Sequence, residues 1–304
     1  MATNVDQTSG PPPAEGRTLG SRKRLVPYAL AAPGSLWLLV FFLLPVGFMV
    51  FTSLKSGGFF SGFRFAWEWE NYTSSMAENS RYFIRSVTYS AIVTVMALVL
   101  AYPLAYWIAF HGGRAKSSLL FLVLLPFFVS FIIRTVQWKF ILADNGILLS
   151  ALKDLGLLPD GFHVLATPIA VIAGITYNFL PFTTFPLYVA LERIDHGLVE
   201  AAQDLYASRA KAFWKVVFPL SMPGVFAAVL LTFVPATGDY VDAEILGSPD
   251  TTMIGNIIQR KFLVNLDYPD AAALSIVLML GMLVLASVYA KVLGTEEATG
   301  AVAA

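Results

Sequence analysis

The sequence predicts an all-α membrane protein with six transmembrane helices. Hydrophobic residues make up 57% of the 304 residues and charged residues only 13%, whereas an ordinary soluble domain is roughly 45–50% apolar. The apolar residues are grouped into long stretches with almost no charge, each able to span or nearly span a bilayer. The chain has no cysteine, which excludes disulfides and thiolate metal sites. The net charge is zero, so we expect no nucleic-acid partner.

The chain begins with a polar segment, residues 1–24, which we expect to be a disordered cytoplasmic tail. It is rich in Gly, Pro and Ser and has too few apolar residues to order by itself. The first span follows at about Tyr28–Leu54 and is too long for a signal peptide. The basic run Arg22-Lys23-Arg24 precedes this span, while only Lys55 follows it closely. This asymmetry places both termini in the cytoplasm.

Five further spans are predicted from the remaining charge-poor stretches. They are Val87–Phe110, Ser117–Ile133, His163–Leu191, Met222–Gly238 and Ala271–Ala290. The third span is short, but Arg134 and Lys139 are expected to snorkel to the interface beside Trp138, so its helix should continue to about Leu142. The six-span domain therefore covers residues 25–293, and residues 294–304 form a second cytoplasmic tail.

Residues 192–221 form the only long connection that this topology places in the cytoplasm. Three longer loops then face outward, at Lys55–Ser86, Arg134–Phe162 and Asp239–Asp270. Helix formers occur in two short runs within the 192–221 loop, before Pro219 and Pro223 end the helical pattern. The first run is amphipathic, so it is either a helix on the membrane surface or a docking element for a soluble partner.

The spacing of residues in this loop resembles that of ABC importer permease subunits. Those subunits carry Glu-Ala-Ala, three residues, Gly, nine residues, Ile, one residue and Leu-Pro. Glu200-Ala201-Ala202 and Pro219 fall at this spacing, and Val216 and Phe218 are apolar replacements. Tyr206 occupies the position of the family's glycine. A bulky residue is costly in a left-handed turn, so either the turn is built differently or the partner's groove is wider.

The resemblance covers nearly the whole chain and implies a six-transmembrane-helix bundle of the ABC importer permease type. In that family the loop forms a coupling helix that binds in a groove of the ATP-binding subunit. The resemblance therefore implies a coupling role for six residues of this loop, which are Glu200, Ala201, Ala202, Asp204, Tyr206 and Pro219.

The resemblance also implies partners and a location. The expected partners are a dimer of ATP-binding subunits, a second permease subunit, an extracytoplasmic solute-binding protein and membrane lipid, in the plasma (inner) membrane of a bacterium. The chain has no Gly-x4-Gly-Lys-Ser/Thr sequence, so ATP and Mg²⁺ are expected on the partner subunit. We expect no catalytic residue, cofactor or metal site in this chain.

The resemblance is closest to spermidine/putrescine permeases. It is carried by LPFTTFPLYVALERID before the loop, and by Gly238–Val241, Glu244–Gly247 and Met253–Asn256 after it. The expected substrate is therefore a polyamine, although a permease for another small solute fits the same motifs. A secondary transporter is less consistent, because the span interiors hold almost no ionisable residues. An intramembrane enzyme lacks its usual motifs here.

An acidic segment follows the fifth span, in which Pro235 and Gly238 are expected to interrupt the helix. The candidate substrate-pathway residues in this segment are Asp239, Tyr240, Asp242 and Glu244. Their charge suits a polycation. The alternative is that the carboxylates are solvated or pair with Arg260 and Lys261.

Overall fold

The computed structural model describes residues 22–159 and 161–300, and these residues are mostly helical. The helices are α1 (Arg22–Ser53), α2 (Glu70–His111), α3 (Lys116–Leu124), α4 (Phe131–Ile141), α5 (Ile147–Asp154), α6 (Pro168–Glu192), α7 (His196–Asp204), α8 (Arg209–Ala212), α9 (Phe218–Thr237), α10 (Val241–Leu246), α11 (Ile254–Leu263) and α12 (Tyr268–Gly300). Short 3₁₀ turns cover Gly113–Ala115, Leu125–Phe128 and Pro249–Thr251, and a π-helical turn covers Phe213–Val217.

The described part of the chain has five single helices that are long and apolar enough to cross a membrane. They are Ala31–Ser53, Glu70–His111, Pro168–Glu192, Arg209–Thr237 and Tyr268–Lys291. A sixth span is obtained if the bent pair Gly113–Phe128 and Phe131–Ile141 counts as one. These helices confirm the predicted all-α membrane fold. The chain divides into two units at Met49, and α1 up to that residue is a unit by itself.

The third span differs from the expectation of one helix that continues to Leu142. Its two halves meet at an angle of 90°, because Val129 and Ser130 have extended backbone between the 3₁₀ turn and α4. The expected snorkelling of Arg134 is also wrong, since this side chain is only 7% exposed. The sharp bend turns Arg134 toward the protein interior.

The helices extend well beyond the charge-free stretches from which the spans were predicted. The segment Lys55–Ser86 was expected to be a loop, but α2 begins at Glu70 and includes its second half. The first half holds a hairpin of β1 (Lys55–Gly58) and β2 (Gly62–Phe65), with Lys55 opposite Phe65. A charged residue marks where a helix leaves the apolar layer, but it does not end the helix.

The prediction that Pro219 and Pro223 end the helical pattern is wrong. Pro219 lies in the first turn of α9, directly after the π-helical turn Phe213–Val217, and Pro223 lies inside α9. Proline is well tolerated in a first turn, because the amide hydrogen that it lacks has no partner within the helix there. The expected interruption at Pro235 is also wrong, since α9 continues past it, whereas the predicted end of the fifth span is confirmed because α9 ends at Thr237, before Gly238.

The core of the second unit lies where α2, α6 and α9 pack together. Along α2, Ala97, Ala101, Ala105 and Ala109 follow one another at every fourth position, and all four are buried. These positions share one helix face, and their small side chains let the neighbouring backbones approach closely. One buried cluster includes three of these alanines with Leu187 and Leu191 of α6 and Ala228 of α9.

The predicted tails lie largely outside the described residues. Residues 1–21 are not described, and α1 begins at Arg22. At the other end α12 continues to Gly300, inside the segment 294–304 that was expected to be a tail. The boundaries of the six-span domain stay a prediction.

Candidate functional site

The first candidate site is the 192–221 loop, which folds into two short helices as predicted. Asp195 begins α7, and its Oδ1 accepts a hydrogen bond from the backbone N–H of Gly197 at 2.9 Å. Ser208 begins α8, and its Oγ accepts from the backbone N–H of Lys211 at 3.3 Å. Such side-chain caps satisfy amide hydrogens that have no partner within the helix. The two caps therefore set where each helix begins.

Helix α7 presents most of its surface to the outside of the chain. Glu200, Ala201 and Asp204 are exposed, and Ala202 is half-buried. The expected coupling residues therefore lie on an accessible acidic helix. The arrangement leaves room for a partner that brings basic groups.

The inner side of α7 packs against the hydrophobic cluster that contains residues of α2, α6 and α9. Val199 packs against this cluster, and the ring of His196 lies 4.8 Å from the ring of Phe110 at the end of α2. Val217, in the π-helical turn, is buried in the cluster together with Leu191 of α6. A force applied to α7 therefore acts on tightly packed atoms of α2 and α6.

Tyr206 ends α7 in the left-handed conformation that favours glycine. Its φ angle is +62°, so the turn is not built differently from the one that a glycine would form. The side chain is 98% exposed, and that of the preceding Leu205 is 82% exposed. Two large apolar groups therefore project from the tip of the loop. Their exposure marks a surface suited to a protein partner.

The second candidate site is the acidic segment after α9, of which two carboxyl groups are buried. Asp239 is 7% exposed and Asp242 is fully buried. An Asp239 carboxylate oxygen accepts a hydrogen bond from the backbone N–H of Asp242 at 2.9 Å. The alternative that these two residues are solvated is wrong, because α10 folds back against α4 and α6.

Asp242 joins three helices through side chains that are far apart in sequence. Its Oδ1 accepts from the hydroxyl of Thr135 on α4 at 2.7 Å. Both of its carboxylate oxygens accept from the amide nitrogen of Asn178 on α6, each at 3.0 Å. Sequence reasoning missed Thr135 and Asn178. The available signal was a polar Asn178 within the apolar stretch His163–Leu191, since such residues tend to have a partner.

Glu244 and Tyr240 have different surroundings from the two buried acids. A Glu244 carboxylate oxygen accepts from Arg260 at 3.2 Å and from Asn256 at 3.0 Å. Pairing of Glu244 with Arg260 was the alternative to a pathway role, and the pair is present. Lys261 instead contacts Asp270 and Asp267. Tyr240 is 44% exposed, so it stands on the surface beside the buried pair.

Within residues 22–159 and 161–300, no group of three or more His, Asp or Glu side chains is placed to hold a metal ion. The acidic segment supplies two neighbouring buried carboxyl groups and a separate ion pair. This arrangement can accept hydrogen bonds from cationic groups, and it brings together no nucleophile with a base.

The chain is similar to known membrane transport proteins. The family model for the binding-protein-dependent transport system inner membrane component matches residues 83–292. The spermidine/putrescine transport system permease protein PotB of Haemophilus influenzae is 36% identical over 254 residues, which cover 83% of this chain and 89% of that protein.

Two solved structures share the fold at low sequence identity. One is a bacterial ABC transporter involved in the import of the acidic polysaccharide alginate, with a TM-score of 0.68 and 19% identity. The other is a bacterial alginate ABC transporter in complex with an alginate pentasaccharide-bound periplasmic protein, with a TM-score of 0.65 and 20% identity. Each match covers 90% of this chain and 96% of the solved chain.

Proposed function

This chain belongs to the family of binding-protein-dependent transport system inner membrane components, and from that premise we propose that it carries a polyamine such as spermidine or putrescine. The chain is a permease subunit of an ATP-driven importer and a multi-pass inner membrane protein. It is not itself catalytic, because ATP hydrolysis in such importers takes place in the partner ATPase.

The polyamine proposal is supported by a relative and by the chemistry of the acidic segment. The Haemophilus relative is named for spermidine and putrescine. Asp239 and Asp242 place two carboxyl groups side by side at the end of α9. An ammonium group that reaches Asp239, the one of the two that keeps some exposure, gains a charge-assisted hydrogen bond. The exposed ring of Tyr240 can add a cation–π contact beside them.

The partner proposal follows from the accessible surface of the 192–221 loop. In this proposal, α7 binds a groove of an ATP-binding subunit, and that subunit also holds ATP and Mg²⁺. A second permease subunit completes the pathway, and an extracytoplasmic protein delivers the solute. Both termini then lie in the cytoplasm. The observation that carries this proposal is that exposed α7 shares one hydrophobic cluster with α2, α6 and α9.

The motion of α7 is transmitted through this cluster. The hydroxyl of Tyr102 on α2 lies 2.7 Å from that of Ser221 on α9. Lys116 at the start of α3 forms an ion pair with Glu192 at the end of α6, at 2.8 Å. Packed helices that share such contacts move together and do not deform one by one. Closure of an ATPase dimer would therefore shift several spans at once.

The direct test is purification of the tagged chain in mild detergent, together with uptake of radiolabelled spermidine by cells that lack the gene. We expect an ATP-binding protein to co-purify and uptake to be lost. Intact spermidine uptake with a bound ATP-binding protein would overturn the substrate and leave the importer in place. Absence of any ATP-binding protein would overturn the role of the loop.

Replacement of Asp239 by Asn is expected to slow spermidine uptake by about tenfold, which corresponds to loss of roughly 1.4 kcal/mol of interaction with the cargo. The asparagine oxygen still accepts the hydrogen bond from Asp242 N–H, so the turn is retained. Uptake kinetics measure the effect. The matched control is Glu244→Gln, which removes an acid that already pairs with Arg260. Equal rates for both variants would contradict a pathway role for Asp239.

Replacement of Tyr206 by Gly is expected to affect the stability of the permease and its binding to the partner in different ways. The left-handed turn costs a non-glycine residue roughly 1 kcal/mol or more, so the permease should be as stable or slightly more stable. Because the exposed ring should contact the ATP-binding subunit, recovery of that subunit should fall several-fold. Thermal unfolding and co-purification measure the two effects. A less stable permease would mean that the ring has a role within this chain.

A further inference from the structure

The break in the third span opens a cavity that adjoins the residues of the proposed polyamine pathway, since Asn178 on its wall donates to the Asp242 carboxylate. Its volume is about 420 Å³, within the range of roughly 300–1,000 Å³ that is typical of small-molecule sites. Most of its wall is aromatic. The phenyl rings that line it belong to Phe127, Phe128, Phe131, Phe179 and Phe182.

Two buried polar side chains that line this cavity have unused hydrogen-bonding atoms. Arg134 is 7% exposed, and its Nε and Nη1 atoms have no hydrogen-bond partner among the described residues. Asn178 is 1% exposed, and within the same part of the chain its Oδ1 atom has no partner, although its amide nitrogen donates to Asp242. The cavity therefore contains unmet donors and an unmet acceptor together.

These atoms lie about halfway along a predicted membrane span. Asn178 is ten residues from the start of α6 at Pro168 and fourteen from its end at Glu192, so it is roughly 15 Å from the nearer end of the helix. The Asp242 carboxylate is close enough to Arg134 for charge attraction, but a buried guanidinium whose Nε and Nη1 atoms lack acceptors is still unfavourable at such a depth. A phospholipid headgroup lies at the membrane surface and would not reach it. The missing partner is therefore ordered water, a small molecule or a group on another subunit.

The unmet atoms define the chemistry of the missing partner. Arg134 requires an acceptor and favours an anion, because its charge is permanent. The Asn178 Oδ1 atom requires a donor. The phenyl rings favour an apolar body. A polyamine offers ammonium groups at both ends, so it would place positive charge against Arg134.

We propose that this cavity binds an α-amino acid with an apolar side chain. The carboxylate accepts hydrogen bonds from Arg134, the ammonium group donates to Asn178 Oδ1, and the side chain lies among the phenyl rings. The site adjoins Asp242 through Asn178, but its ligand differs from a polyamine and the proposal does not depend on the polyamine being the cargo. The permease would then have a second ligand site, in the cavity at the break in the third span.

The test uses the complete importer in lipid nanodiscs and three probes of matched shape. Leucine carries both the carboxylate and the ammonium group, leucinol lacks the carboxylate, and 4-methylpentanoate lacks the ammonium group. A ligand that binds the folded state raises its unfolding temperature. We expect leucine to raise this temperature and to bind at least about tenfold more tightly than either analogue. Equal effects of leucine and leucinol, or no effect of leucine, would overturn the proposal.

Variants of α4 assign the effect to the cavity. Arg134→Met should weaken leucine binding by about 10- to 100-fold, and Arg134→Lys should weaken it less, because the charge remains. Lys139→Met removes a charge from an exposed position of the same helix and should leave binding unchanged. Undiminished leucine binding by Arg134→Met would overturn the proposal. Loss of the second permease subunit from Arg134→Met would also overturn it, since the partner would then be a carboxylate of that subunit.

Discussion

Gly224→Leu is expected to prevent the permease from folding, and the amount of folded protein in membranes should fall at least tenfold. A Cβ atom at this position of α9 would collide with the Cβ of Ala190, and it would lie 2.8 Å from the carbonyl oxygen of Pro186 and 3.3 Å from the Cα of Leu187. Two of these three atoms belong to the backbone of α6, which cannot move aside alone. The two helices must separate, at a cost of roughly 3 kcal/mol or more.

The matched control for Gly224→Leu is the same substitution at Gly281, a glycine of α12 whose added Cβ would meet nothing within 4 Å. Gly281→Leu should accumulate at the normal level and elute from a size-exclusion column as the unaltered chain does. Gly224→Ala should lie between the two, because it adds one atom. Normal accumulation of Gly224→Leu would show that α6 and α9 do not pack as closely as the structure has them.

Glu200→Lys is expected to lower uptake at least tenfold and to separate ATP hydrolysis from transport, while the chain still inserts and folds. The side chain is exposed on α7, so this chain does not depend on it for packing. The substitution places a positive charge where the proposed partner brings basic groups, and like charges at an interface are strongly unfavourable. Uptake and ATPase activity, both measured in proteoliposomes of the full importer, give the two quantities.

Asp154→Lys makes the same change of charge at an exposed position of α5, and it should leave uptake and ATPase activity unchanged. Glu200→Gln should have a smaller effect than Glu200→Lys, because it removes attraction without adding repulsion. Normal uptake by Glu200→Lys would contradict a coupling role for α7. A permease that no longer reaches the membrane would instead assign Glu200 a role in folding.

Much of the fold could be predicted because hydropathy is a local property of the sequence. Each span is a run of apolar residues long enough for the bilayer, whatever its neighbours are. The ends of helices were harder to predict. Backbone hydrogen bonds continue past the first charge, as at Glu70, and a proline can begin a helix as well as end one, as at Pro219. The break at Val129 and Ser130 was also missed, although Pro126 in the turn just before it was a signal for it.

The helices of the 192–221 loop could be predicted for a similar reason. These helices and the spacing of Glu200-Ala201-Ala202 lie within one short segment. The conformation of Tyr206 could not be decided, because the same residue fits a different turn or a wider groove. The positive φ angle resolves this question in favour of an ordinary left-handed turn that carries an unusual side chain.

The sequence by itself therefore determined the class of membrane protein, five of its spans as single helices, and the segment that resembles a coupling loop. The tertiary structure alone decided where polar groups inside the membrane domain find partners. Asp242 forms hydrogen bonds with Asn178, which is 64 residues away in the sequence, and with Thr135, which is 107 residues away. Arg134 lines a cavity. Composition and periodicity describe only residues near one another along a single helix, whereas these contacts depend on how α4, α6 and α10 pack.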